Sequence, residues 1–297
     1  MRTRILILVG VIVSAGCSGH GPPAPKAAPG TLEALWNRPG ENVSLVGGDA
    51  DFARGPVRYS FLVVTHRGKA VERPRARVWI SRGLKEKPFA ETSATLEPVG
   101  VPGAGDPLDV KSLYVAHFRI PRPGTYWVLA EPAGGRIQGV GNVVVKARSD
   151  SPAVGARAFP SRTPTLGSAR IGRLTTRTPP DRDLLRYSIA GSLAARAPFV
   201  VVFATPKFCA SRTCGPVVDV VDSVRKRFAG QGVRFIHVEI YRGNDPQNGL
   251  NRWVREWRLP SEPWTFAVGR DGRIKAKFEG SVSAGELAAA VRILLKR

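Results

Sequence analysis

The sequence of 297 residues predicts a two-domain protein in which an all-β sandwich precedes an α/β domain. The first half holds short segments rich in Val, Ile, Tyr, Phe and Trp, separated by Gly/Pro-rich turns, which is the pattern of antiparallel strands. The second half alternates continuous apolar strands with segments of helical periodicity. A hydrophobic content of 43% is that of a soluble globular protein, and the chain is long enough for two cores.

The N-terminus has the form of an export signal. A positive stretch, MRTR, precedes the apolar residues 5–13, and SAGC then leads into Cys17. The apolar run is far shorter than the ~20 residues that cross a bilayer. The pattern resembles a bacterial lipoprotein signal, although Ser14 stands where a Leu-like residue is usual. We expect residues 1–17 to be a signal with lipidation at Cys17, and ordinary secretion or a short uncleaved anchor is the alternative.

The segment after the signal and the overall charge indicate where the protein works. Residues 18–30 are rich in Pro, Gly and Ala, which predicts a flexible tether between the membrane and the folded part. We therefore expect an extracytoplasmic protein on the bacterial cell membrane. The net charge of +22 is scattered along the chain, which suits an anionic membrane or cell-wall surface. A solvated surface without a specific partner is the alternative. No nucleic-acid-binding motif accompanies the charge, so we expect no nucleic-acid partner.

Residues 31–147 are predicted to form the β-sandwich. Short strands at this spacing are typical of antiparallel sandwiches. The segment PRPGTYWVLAEP resembles the late hairpin of Ig-like bacterial modules. No catalytic constellation is present in this half. The predicted strands are residues 57–65, 75–81, 112–120, 124–132 and 139–147.

Residues 148–183 are predicted to be a connector, since they are rich in Arg and Pro and carry little periodicity. An extended segment that lies along one or both domains is the plain interpretation. A charged strip that docks a partner is the alternative.

Residues 184–297 are predicted to form the α/β domain, with an order of βαβαββα after a leading helix. The closing helix begins with Ser283 as its N-cap and Glu286 three residues later, which is a capping box. The predicted helices are residues 184–197, 215–228, 249–257 and 283–297, and the first two strands are residues 198–205 and 233–241. Two further strands flank the turn at residues 270–272.

Three motifs in this domain resemble the thioredoxin superfamily, in particular its TlpA-like, membrane-tethered members. FATPKFCASRTCGPVVDVV places a cysteine and Gly-Pro between a buried strand and a helix. LPSEPWTFAVGRDGRI is similar to the family's cis-proline segment, and FEGSVSAGELAAAV is similar to its last strand and helix. The motifs occur in the family's order over residues 184–297, so the resemblance implies a thioredoxin-like fold.

The resemblance implies thiol–disulfide exchange on exported proteins, without a cofactor or a resident metal. Cys214 matches the family's exposed nucleophilic cysteine, and the expected second cysteine is replaced by Val217. Cys209 lies upstream instead, so that the pair is C-x4-C. Either cysteine could attack a substrate disulfide while the other resolves the mixed disulfide.

Several neighbours are expected to support this chemistry. The helix N-terminus would stabilise a thiolate at Cys214, and the resemblance makes Pro263 a cis proline against the cysteines. The supporting residues that we predict are Pro263, Trp264, Thr265 and His237, the last on the adjacent strand.

Three other interpretations of the cysteine pair stay open. The pair could form a structural disulfide in a binding module that has no activity. It could bind Cu(I) together with His237, as in the Sco-type copper chaperones that the domain also resembles. A peroxiredoxin is the third alternative, although the family's motif before the cysteine is not present.

Overall fold

The computed structural model of the chain describes residues 27–41, 43–101, 110–133, 138–209 and 212–296. The described part contains one eight-stranded sheet in its first half and one four-stranded sheet in its second half. The signal at residues 1–17 and most of the predicted tether lie outside the described residues. Within them, no helix has the length and apolar character needed to cross a membrane.

The first sheet is built almost entirely from antiparallel neighbours, in the order β1-β3-β6-β5-β4-β7-β8-β2. Only the short β2 runs parallel to its neighbour β8. A single-turn helix, α1 (Leu32–Trp36), precedes the sheet. The strands are β1 (Val43–Gly47), β2 (Phe52–Ala53), β3 (Gly55–Thr65), β4 (Arg75–Ser81), β5 (Ala90–Pro98), β6 (Ser112–Ile120), β7 (Gly124–Pro132) and β8 (Gly139–Lys146).

This half is all-β as predicted, but its eight strands form one hydrogen-bonded sheet that curls around its core. The curl brings β8 against β1. A Cβ on Gly139 would lie 3.2 Å from the Leu45 backbone nitrogen, and one on Gly141 would lie 3.0 Å from the Leu45 side chain. Glycine allows this close approach because it has no side chain. The sequence pattern predicted strands but did not predict that they would form a single curled sheet.

The second sheet has the order β10-β9-β11-β12, in which β9 and β10 are parallel and the other pairs are antiparallel. Its strands are β9 (Phe199–Phe203), β10 (Arg234–Val238), β11 (Trp264–Val268) and β12 (Ile274–Glu279). The helices are α2 (Ile189–Ala194), α3 (Cys214–Arg227), α4 (Arg252–Glu256) and α5 (Ala284–Leu295). Short 3-10 helices lie at Ile171–Arg173, Arg182–Leu185, Arg242–Asn244 and Pro246–Asn248.

Every residue of β9 is buried, because the strand carries a core on each face of the sheet. Val200 and Val202 face α3 and α5. Phe199, Val201 and Phe203 belong to the core on the other face, which includes Trp257. A continuous apolar strand is what burial on both faces requires.

Two helix predictions differ in outcome. The capping box of α5 is confirmed, because the Ser283 hydroxyl accepts from the Glu286 N–H and the Glu286 carboxylate accepts from the Ser283 N–H. The continuous helix predicted over residues 184–197 was wrong in length, since a 3-10 turn precedes a short α2. The Ser188 hydroxyl caps α2 by accepting from the Gly191 N–H, and this starts the helix anew.

The segment between the two sheets packs along both edges of the second sheet. At one edge, Ala158 N–H donates to the Gly272 carbonyl, and Ile274 N–H donates to the Ala156 carbonyl, each at 2.9 Å. At the other edge, Thr176 donates to the Glu239 carboxylate through its backbone N–H and its hydroxyl. This segment therefore supplies part of the surroundings of β10.

A polar interface joins the two halves of the chain. The Arg58 guanidinium on β3 donates to both carboxylate oxygens of Glu286, at 2.7 and 3.1 Å. In the second half of the chain, the Glu279 carboxylate on β12 accepts hydrogen bonds from the backbone N–H groups of Ala50 and Asp51 in the first half, at 2.9 and 2.8 Å. Each half of the chain thus supplies a charged side chain to this interface, and the contacts fix the first sheet against the second half of the chain.

Candidate functional site

Cys214 is the first residue of α3, and its side chain is fully buried in the core between α3 and the sheet. Cys209 lies in the loop between β9 and α3 and is half-buried. Both cysteines are present as thiols. The resemblance assigned the exposed nucleophile to Cys214, whereas the structure buries that sulfur because the first turn of α3 packs onto β9.

The carboxylate of Glu262 lies close to the two sulfurs. The sulfur atoms of Cys209 and Cys214 and a carboxylate oxygen of Glu262 all lie within 4.8 Å of one another. Glu262 precedes Pro263, and the peptide bond between them is cis. Glu262 belongs to the LPSEPWTFAVGRDGRI motif, but the sequence pattern predicted no role for it.

The N-terminus of α3 is directed at Cys209. The backbone N–H of Cys214 donates to the Cys209 sulfur at 3.3 Å. A hydrogen bond from a helix N-terminus favours a thiolate acceptor. The helix effect that we expected at Cys214 therefore acts on Cys209.

Cys214 is held in its protonated form. Its hydrogen bond to Cys209, its burial and the negative charge of a Cys209 thiolate together raise the pKa of Cys214 far above its ordinary value. The site thus favours one negative charge on the pair, and Cys209 is the sulfur that receives the backbone donor. A thiol in the position of Cys214 needs a base before it can act as a nucleophile.

Glu262 has the properties of such a base. Burial, the charge of Cys209 and the charge of Glu239 raise its pKa to about 7. A carboxyl group with this pKa exchanges its proton near neutral pH, where general acid–base groups are most effective. Burial, together with the charges of Glu262 and both cysteines, also raises the pKa of Tyr241.

His237 does not complete a cluster with the cysteines. Its Nε2 lies 3.1 Å from the Ala204 carbonyl oxygen, and its Nδ1 lies 3.3 Å from the Thr175 hydroxyl. Burial lowers the pKa of His237, which keeps the ring neutral. Because both ring nitrogens are engaged, His237 positions the end of β10 and the connector.

The two residues after Pro263 are core residues. Trp264 is buried on the face of the sheet opposite Cys214, where it stacks on Phe266 with ring centroids 5.6 Å apart. Thr265 is buried opposite Val202 of β9, and its hydroxyl makes no hydrogen bond with any residue in the described part of the chain. Pro263 is adjacent to the sulfur–carboxylate cluster through its cis peptide bond to Glu262.

The chain has distant likenesses to proteins of known structure. No protein-family model matches the chain, and no curated protein matches it. A thioredoxin-family thiol:disulfide interchange protein from Chlorobium tepidum TLS shares 14% identity, over 49% of this chain and 97% of that one, with a TM-score of 0.32. A protein from Chlorobium tepidum assigned as the thiol:disulfide interchange protein DsbE shares 13% identity, over 35% of this chain and 85% of that one, with a TM-score of 0.29.

The Lin-41 filamin domain is a third similar structure, with 12% identity over 37% of this chain and 96% of that one, and a TM-score of 0.22. Likenesses at these identities and TM-scores establish neither a family nor an activity. The chemistry of the site is therefore inferred from its own residues.

Proposed function

We propose that the protein carries out thiol–disulfide exchange through Cys209 and Cys214, on a thioredoxin-like C-terminal domain. The observation that carries this proposal is the cluster of two sulfurs and one carboxylate oxygen within 4.8 Å of one another. Cys209 is half-buried, lines a cleft and receives a backbone N–H at its sulfur, whereas Cys214 is fully buried. An attacking thiolate and a resolving thiol require such a pair.

The exchange proceeds in two steps. The Cys209 thiolate attacks a substrate disulfide, so that one S–S bond forms as the substrate's S–S bond breaks, and the released substrate thiolate takes up a proton. Cys214 then transfers its proton to the Glu262 carboxylate and attacks the Cys209 sulfur of the mixed disulfide. The Cys209–Cys214 bond forms as the bond between Cys209 and the substrate breaks, and the second substrate thiolate leaves and takes up a proton from the solvent. The products are a Cys209–Cys214 disulfide and a reduced substrate, and the reverse sequence oxidises a dithiol.

Glu262 is expected to control the second step. Beside a charged Cys209 the pKa of Glu262 is about 7. In the mixed disulfide Cys209 carries no charge, so the pKa of Glu262 is lower than that value but is still raised by burial and by the charge of Glu239. In the wild-type protein, the rate of the intramolecular step should rise with pH through this pKa, as the carboxylate form accumulates. Replacing Glu262 with Gln should remove this rise and slow the step about 10²-fold, the lower range for a general base. Stopped-flow measurement of thiol release from hydroxyethyl disulfide, between pH 5 and 9, gives both quantities.

A matched control is Glu91→Gln, which removes an exposed carboxylate from β5 in the first domain. This variant should keep the wild-type pH profile. An unchanged profile in Glu262→Gln would show that another group accepts the proton of Cys214. A wild-type protein that does not react with hydroxyethyl disulfide would overturn the proposed exchange itself.

Metal binding is the second candidate, because the same cluster offers two thiolates and a carboxylate to one ion. Thiolate ligands select soft or borderline ions such as Cu(I) or Zn²⁺. The ligand set differs from the one predicted from sequence, since Glu262 takes the place of His237. This candidate requires one ion per chain, bound only by the dithiol form, and no disulfide turnover.

We also propose, from the sequence, an extracytoplasmic protein anchored through lipid on Cys17, with exported thiol or disulfide proteins as its partners. Cys17 lies outside the described residues, so this part rests on the signal pattern. An oxidising compartment is where substrate disulfides form and persist.

A further inference from the structure

A large cleft lies between the two domains, and Cys209 lines it. Its volume is about 1300 Å³, which exceeds the roughly 300–1,000 Å³ of typical small-molecule sites. One wall comes from the loop before α3, the start of α3 and the segment before β11, and these contribute Lys207, Pro216 and Glu262 respectively. The other wall belongs to the first sheet.

Part of the wall from the first sheet is apolar, where a solvent-facing sheet surface would be polar, and the rest of it carries polar side chains. In β3 and β6, Phe61 and Tyr114 point into the core of the first domain. Leu62 and Leu113 belong to a separate apolar cluster outside that core. Alternation along a strand places such residues on the outer face of the sheet. Val46 on β1 lines the same cleft and is 47% exposed.

The same outer face of β3 also makes the interdomain contact. Arg58 and Leu62 are four residues apart in the strand, so they share a face. Arg58 binds Glu286 of α5, whereas Leu62 lines the cleft. The apolar part of the wall thus shares the outer face of β3 with the interface, and it lines the same cleft as Cys209.

We propose that this cleft binds an extended segment of a substrate polypeptide, with an apolar side chain beside the reacting disulfide seated against Leu62, Val99 and Leu113. The inference rests on the proposed thiol–disulfide exchange and names its substrate class. The size of the cleft fits a peptide segment, and its two walls supply the sulfur and the apolar contact. The first domain thereby selects which disulfides reach Cys209.

The test compares two peptides that carry the same intramolecular disulfide and differ only in the residue beside one cysteine, which is Leu in one and Ser in the other. The wild-type protein should reduce the Leu peptide with a kcat/KM about tenfold higher, the discrimination expected from a small apolar contact. Replacing Leu62 with Ser should lower this preference to about twofold. The preference is a ratio within one variant, so a reduced folded fraction does not change it.

The matched control is Val64→Ser, which alters a half-buried residue two positions along β3 and outside the cleft. This variant should keep the wild-type preference. Equal kcat/KM values for the two peptides in a wild-type protein that reacts with hydroxyethyl disulfide would overturn the peptide site and leave the exchange activity standing. An equal loss of preference in both Ser variants would also overturn it. No reaction with any disulfide would overturn the exchange activity and, with it, this inference.

Discussion

Replacing Cys209 with Ser is expected to lower the rate of disulfide exchange by on the order of 10³-fold or more, as removal of a nucleophile does. Replacing Cys214 with Ser is expected to leave the first step intact and to accumulate a mixed disulfide on Cys209. The reason is the difference in access, because Cys209 is half-buried beside the cleft whereas the Cys214 sulfur is fully buried.

Mass spectrometry of each variant after reaction with a disulfide peptide, under non-reducing conditions, measures the adduct directly. Peptide mapping should place one adduct on Cys209 in the Cys214→Ser variant and none on Cys214 in the Cys209→Ser variant, whatever the state of Cys17. An adduct on Cys214 in the Cys209→Ser variant would reverse the assigned order of attack. Such a result would require α3 to move away from the loop that carries Cys209.

Replacing Arg58 with Ala is expected to lower the free energy of unfolding by about 3–5 kcal/mol, the cost of breaking a buried ion pair from one side. Arg58 contacts Glu286 at 2.7 Å and Asp49 at 3.4 Å, and these side chains are only 5–14% exposed. Burial raises the pKa of Glu286, but the hydrogen bonds and the charge of Arg58 outweigh it and hold that pKa below its usual value. Without Arg58, a buried carboxylate loses its cation.

Arg77→Ala is the matched control, since Arg77 forms an exposed pair with Glu91 at 2.8 Å. An exposed pair contributes at most about 1 kcal/mol, so urea denaturation followed by tryptophan fluorescence should separate the two variants clearly. If Arg58→Ala were no less stable than Arg77→Ala, the interdomain interface would not be a stabilising element. The fixed position of the cleft wall would then lose its support.

Local sequence patterns were sufficient for the order of elements in the second half. The apolar run of β9, the helical stripe of α3 and the capping box of α5 all appear at the expected places. Each depends on residues close together in sequence, such as the Ser283 and Glu286 pair. The late start of α2 was not predicted, because the helical spacing of apolar residues does not show that a new N-cap lies at Ser188.

The set of residues that meet in the site depends on contacts between distant parts of the chain, and sequence spacing does not predict those contacts. Glu262 reaches the sulfurs because β11 pairs with β9, which brings residues about fifty positions apart into one cluster. His237 was predicted to face the cysteines from its strand, yet its ring is engaged by Ala204 and Thr175. The curl of the first sheet likewise depends on glycines of β8 against Leu45 of β1, a contact between distant strands.

The reduction potential of the Cys209–Cys214 pair tests the central claim most directly. The full chain would be equilibrated in thiol/disulfide buffers, and the fraction of reduced pair would be counted by thiol-specific mass tagging. Thiol–disulfide exchange predicts a potential between about −120 and −270 mV, the range of working oxidoreductases. A potential well below about −300 mV would mark a structural disulfide and would contradict the proposed function.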